Sequence, residues 1–171
     1  ILYDRNKGGT GKTALVTGVV LNLLLLGCGT YGINLLLAAY SMGQMLDTTL
    51  SVTVVSRESE EEFRDKLDSI SPELLKSMDP QDDILVCNAA GSRNAPYCSL
   101  RYVSCDVQSS RFINLLQEKK EGESLLATHY CMVALGSDSA NLSAVYMLNS
   151  YIGGWHLTHP GVNTVIAAVI H

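Results

Sequence analysis

The sequence predicts an α/β protein: one domain, residues 1–171, with a parallel β-sheet carrying helices on both faces. Three observations predict it. Apolar runs of strand length recur without polar alternation, as strands buried on both faces require. Segments with helical spacing or helix caps separate them. A glycine-rich loop near the start, "NKGGTGKTAL" at residues 6–15, is flanked by a short β-prone run and a long apolar one.

Taken in order, "ILYDRN" (1–6) reads as a short strand ending at the glycines. "KTALVTGVVLNLLLL" (12–26) reads as a helix, apolar almost all round and therefore buried on several sides, with Gly27 as its C-terminal stop. "INLLLAA" (33–39) has the length and continuity of a buried strand, although its Leu and Ala also suit a helix. "LSVTVVS" (50–56) is β-branched and predicts another strand. The charged stretch 57–78 places Phe63, Leu67, Ile70 and Leu74 at helical spacing, giving one amphipathic helix or two broken before Pro72. "DDILVCNAAGS" (82–92) is a strand running into a small-residue turn, and the segment with Cys98 and Cys105 reads as a loop after it. Residues 106–120 form a helix, 125–135 a strand, 137–154 a helix with a Ser/Asp cap, and 161–170 a last strand.

Composition narrows the function. Apolar residues make up 47% and charged residues 17%, as in a chain that buries a core. A formal charge of −5 argues against a broad nucleic-acid-binding face, so DNA is a partner the charge does not support. Five cysteines at irregular spacing, without C-x-x-C, fit reduced thiols in a cytoplasmic protein better than a disulfide scaffold or zinc ribbon. Cys87 and Cys131 sit in apolar runs as inert core residues. The start "ILYDRN" has neither an initiator Met nor the pattern of a signal peptide, so this end is expected to be trimmed or incomplete. No charged side chain occurs from Thr13 to Leu46, yet the glycines of "GCGTYG" (27–32) break the run below the roughly 20 residues a membrane span needs. No membrane association is expected.

The loop at residues 8–13 has the chemistry of a phosphate cradle. Gly8, Gly9 and Gly11 let the backbone approach a ligand, and with Thr10 they turn successive N–H groups inward as an anion nest. A helix starting near Lys12 would add its positive end. Lys12 would reach the β- and γ-phosphates, and the Thr13 hydroxyl would ligate Mg²⁺.

The strict Walker spacing would need glycine at position 6, where Asn6 stands. The pattern K-G-G-x-G-K-T, Lys7 to Thr13, instead resembles the deviant Walker A box of ParA/MinD-like P-loop ATPases. The resemblance is specific over residues 1–26 and topological beyond. It implies the P-loop NTPase fold, ATP and Mg²⁺ as ligands, a nucleotide-dependent homodimer, and a slow ATPase acting as a switch that positions a plasmid or other cargo through an adaptor. Lys7 becomes the signature lysine reaching the partner's ATP, so Lys7 and Lys12 are the implied catalytic pair. Ala14 stands at a nucleotide-side position where the family carries a second Thr. Asn88, in "ILVCNAAGS", stands where an Asp near the Mg²⁺ is usual, and the Asp-rich turn expected after the second strand is missing. Nucleotide binding is therefore better supported than hydrolysis. Arg93 is a dimer-face candidate, and the family's C-terminal adenine-contacting segment is expected to be missing. Two alternatives stay open: a metabolic enzyme of this fold, such as a dethiobiotin-synthetase-like ligase or small-molecule kinase, and a non-hydrolysing nucleotide-binding module. The pair His156 and His159, in a stretch read as a loop around Pro160, lacks further ligands for zinc.

Overall fold

Apolar runs long enough to be either helix or strand are sorted here by what flanks them. In the computed structural model, which describes residues 19–43, 48–78, 98–117, 124–161 and 163–170, the run before Gly27 is β1 (Val19–Leu26). The helix expected over 12–26 is thus corrected: residues 19–26 form a strand. Periodicity cannot separate a central strand from a buried helix when all but one position, Asn22, is apolar. Gly27 ends this strand; it does not cap a helix.

The next run is corrected the other way. Residues 33–39, expected as a strand, lie within α1 (Thr30–Met42). Leu and Ala are strong helix formers, and Gly32, Ile33, Leu36 and Ala39 bury one face at helical spacing while Asn34, Ala38 and Ser41 stay exposed. Strand β2 (Thr48–Ser56) follows as expected. The charged segment forms two helices, α2 (Glu60–Ile70) and α3 (Pro72–Lys76), divided at Pro72. Strand β3 (Cys98–Ser104) replaces the loop expected around Cys98 and Arg101. Then come α4 (Ser110–Gln117), β4 (Tyr130–Val133), α5 (Asp138–Thr158) and β5 (Val165–Ala168). Helix α5 runs through Gly153 and Gly154 to Thr158, so Trp155 and His156 are helical, and the His159 ring stacks on Trp155 at 4.1 Å.

The five strands form one all-parallel sheet in the order β3-β2-β1-β4-β5. Strand β1 is central, pairing Leu25 with Val54 on one side and Met132 on the other. Its alternating side chains serve both faces. Leu23 and Leu25 join Leu36, Phe63, Leu67 and Leu74, so α1, α2 and α3 cover one face. Leu24 and Leu26 join Phe112, Leu116, Ala144 and Leu148 beneath α4 and α5. The helices change face where the order reverses, between β1 and β4, and such a switch opens a crevice at the strands' carboxyl ends. No helix among the described residues is long and apolar enough to cross a membrane.

Helix α2 begins with a reciprocal cap. The Ser59 hydroxyl accepts from the Glu62 amide, and the Glu62 carboxylate accepts from the Ser59 amide at 2.8 Å. These bonds, the backbone one first, hold the Glu62 carboxyl below its ordinary value of 4.5. A carboxylate with a lowered pKa stabilises the fold above its unfolded value and loses that contribution as pH falls through the folded one. Urea denaturation of Ser59→Ala should show a loss of about 1 kcal/mol at neutral pH. The gap to wild type should narrow below about pH 4.5. Leu25→Ala, in the fully buried centre of β1, should cost about 3 kcal/mol in the same assay.

Candidate functional site

The crevice lies where the switch point predicts it. A cleft of about 640 Å³ is bordered by the turn after β1 (Gly27 to Tyr31), the end of β2 (Ser56 to Glu58), the turn after β3 (Cys105 to Gln108) and the turn after β4 (Ala134 to Ser137). A smaller cavity, near 430 Å³, lies toward the other end of the strands beside Asn22, Thr53 and Arg101, and among the described residues no helix begins at it.

The β1–α1 turn reads Gly27-Cys28-Gly29-Thr30-Tyr31-Gly32, a G-x-G-x-x-G directly after a strand and opening a helix. Each glycine has a separate steric role. Gly27 has φ +95°, and a Cβ there would stand 2.2 Å from the Ala134 carbonyl oxygen. The chain can turn between β1 and β4 only without a side chain. At Gly32 a Cβ would stand 2.1 Å from the Gly27 carbonyl oxygen, so α1 closes against the turn only with glycine. Gly29 differs. Its φ of −67° is open to any residue, and a Cβ would meet no described residue within 4 Å. Among the described residues no neighbour demands a glycine there; the space beside it is cleft.

Helix α1 starts at that point. Gly29 is its N-cap and offers no side-chain acceptor, and no acidic residue occupies the first turn. The helix's positive end is therefore presented to the cleft without an internal counter-charge. Helix α5 also begins at the rim, after Gly136, with Ser137 capping the Ala140 amide. Asn141, 1% exposed, accepts from the Leu135 amide and donates to the Val169 carbonyl, both at 2.7 Å. That side chain fixes the β4 turn to the end of β5.

The β2 end supplies the charged wall. Arg57 Nε bonds Asp106 Oδ2 at 3.0 Å across the mouth. The Gln108 amide, and after it Arg57, hold the Asp106 carboxyl below the usual range. Glu58 is bound by Lys66 Nζ at 2.6 Å, by the Cys28 thiol at 3.1 Å, and through its carbonyl by the Tyr102 hydroxyl at 2.9 Å. Burial pushes the Cys28 thiol up, with Glu58 adding to the rise and Ser56 opposing it. Burial likewise raises Tyr102, whose ring stacks on Phe63 at 4.3 Å.

The sequence-derived site residues Lys7, Gly8, Gly9, Thr10, Gly11, Lys12, Thr13 and Ala14 lie outside the described residues, as do Cys87, Asn88 and Arg93. Among the described residues no group of three or more metal-ligating side chains converges, and His156 pairs with Thr164 at 3.1 Å. Cys98 and Cys105 are both buried: Cys98 begins β3, while Cys105 lies, as expected, in the turn that follows it. The fingerprint at 27–32 was legible in its spacing. It is hidden once residues 12–26 are read as a helix, because Gly27 then serves as a helix stop. Comparison with protein-family models, curated proteins and solved structures finds no match to this chain.

Two outcomes follow from this geometry. Gly27→Ala and Gly32→Ala should each lower stability by about 2 kcal/mol or more, since strain or a backbone clash must be relieved. Gly29→Ala should stay within about 1 kcal/mol of wild type in the same denaturation curves. Burial pushes Cys131 up to about 12 and, opposed slightly by Ser77, Cys98 to about 11. Iodoacetamide at about pH 8 should leave both unmodified in the native protein and alkylate both in urea, read by peptide mass spectrometry.

Proposed function

We propose that this chain holds a dinucleotide-binding domain whose cleft takes a nicotinamide adenine dinucleotide. The observation that carries the reading is Gly29, a glycine with ordinary backbone angles and no described residue where its side chain would be. In the dinucleotide fingerprint the second glycine lets the backbone approach a pyrophosphate, the first makes the tight turn, and the third packs helix on strand. Gly27, Gly29 and Gly32 fit those separate roles. The sheet order supports the reading as well: β3-β2-β1-β4-β5 matches the first five positions of the doubly wound order that binds dinucleotides at its switch point.

The residues divide the ligand between them. The Gly29 backbone and the start of α1 would hold the pyrophosphate, and Ser56 and Arg57, at the end of β2, would face the adenosine ribose. The turn from Leu135 to Ser137 would line the nicotinamide half. When bound, the cofactor supplies hydride transfer; these residues bind it, orient it and wall it from water. A cytoplasmic setting is proposed with it, supported by four unpaired thiols among the described residues.

A second reading, the ATP- and Mg²⁺-dependent ParA/MinD-like switch with its homodimer, rests on Lys7 to Thr13 alone. Titration calorimetry with NAD⁺, NADP⁺, S-adenosylmethionine and Mg·ATP separates the readings. At least one dinucleotide should bind, and Gly29→Val should weaken it roughly 100-fold while Lys12→Ala leaves it unchanged. Binding of Mg·ATP alone, lost in Lys12→Ala, would establish the switch reading instead. Binding of S-adenosylmethionine alone, or of nothing, would sink the dinucleotide assignment.

A further inference from the structure

We infer that the cleft selects the 2′-phosphorylated dinucleotide, NADP, over NAD; this rests on the dinucleotide reading above. The choice between the two is made at the end of the second strand, where an acid accepts the ribose 2′-hydroxyl or an arginine takes the 2′-phosphate. This chain places one of each there, Arg57 and Glu58. Their surroundings decide which one is available.

Glu58 is already occupied. Lys66 Nζ lies 2.6 Å from both carboxylate oxygens, and the Cys28 thiol donates to Oε2 at 3.1 Å. The side chain is 32% exposed. An acid engaged in this way offers few lone pairs to a ribose, and Lys66 cancels the charge that would repel a phosphate. The bond from Cys28 also ties Glu58 back to the first turn, away from open solvent.

Arg57 is presented. Its side chain is 68% exposed, and its bond to Asp106 is made through Nε. Among the described residues the structure gives no bond to its two terminal nitrogens. That single anchor holds the planar group at the mouth of the cleft while leaving the edge that pairs with phosphate. Asp106 is itself fixed by the Gln108 amide at 2.9 Å. Lysine at 57 would keep the charge and lose the two-pronged geometry.

The test is fluorescence titration of the intact chain with NADPH and NADH, with 2′,5′-ADP and 5′-ADP as competitors. NADPH should bind at least roughly 10-fold tighter than NADH. Arg57→Ala should weaken NADPH roughly 10- to 100-fold and leave NADH within about 3-fold, with Arg57→Lys intermediate. Glu58→Gln should leave NADH within about 3-fold, because the carboxylate is not its ligand. Unchanged circular dichroism melts confirm that each variant folds. Equal or tighter NADH binding overturns the inference and spares the dinucleotide reading. So does a preference for NADPH that survives Arg57→Ala. If neither dinucleotide binds the wild-type chain, the dinucleotide reading itself fails.

Discussion

A single steric fact organises this molecule: the carbonyl oxygen of Ala134 occupies the place a side chain would need at position 27. The Gly27 amide donates to Val55 and the Ala134 amide to Leu26, both at 2.8 Å, so the central strand is fastened to both neighbours as it ends. The chain must leave the sheet there through a left-handed residue. It then meets α1 so closely that position 32 must be bare as well. Sheet centre, tight turn and helix start are thus set within six residues. Everything at the cleft floor inherits its position from that approach.

The two sides of the cleft are built by different means. Beside β4, the turn is held by neutral hydrogen bonds converging on Asn141, which is buried and fully used. A buried amide with both its groups satisfied is a rigid fixture. Beside β2, the framework is ionic: Lys66 on Glu58, Arg57 on Asp106, with Tyr102 and Phe63 stacked beneath. Two helix starts face the space between. The cleft is thus graded from neutral to charged along its length.

Much of this was legible in the residues. The β-branched run of β2, the split at Pro72, the Ser-capped α5 and the parallel α/β class follow from local pattern and survive in the fold. The failures share one cause. Where Leu and Val fill every position but Asn22, as in 19–26, burial on both faces erases the alternation that distinguishes helix from strand. Reading that run as a helix shifted its neighbour too, since 33–39 then had to return as a strand. Strand β3 was missed because Ser99, Arg101 and Ser104 break its apolar run. The fingerprint was visible as letters, but its meaning depends on what precedes it. The roles of Gly27 and Gly29 could not be told apart without the oxygen of Ala134, over a hundred residues away. The P-loop-like stretch at 6–15 lies outside the described residues, and its meaning still rests on its own letters.

The contrast between the two walls has a consequence for behaviour in solution. Ions in the medium screen the Arg57–Asp106 and Glu58–Lys66 pairs, which are partly open to water, and barely touch the bonds around Asn141. Raising ionic strength therefore relaxes the crevice from one flank only. The flank that slackens is the one at the end of β2, while the opposite flank keeps its shape.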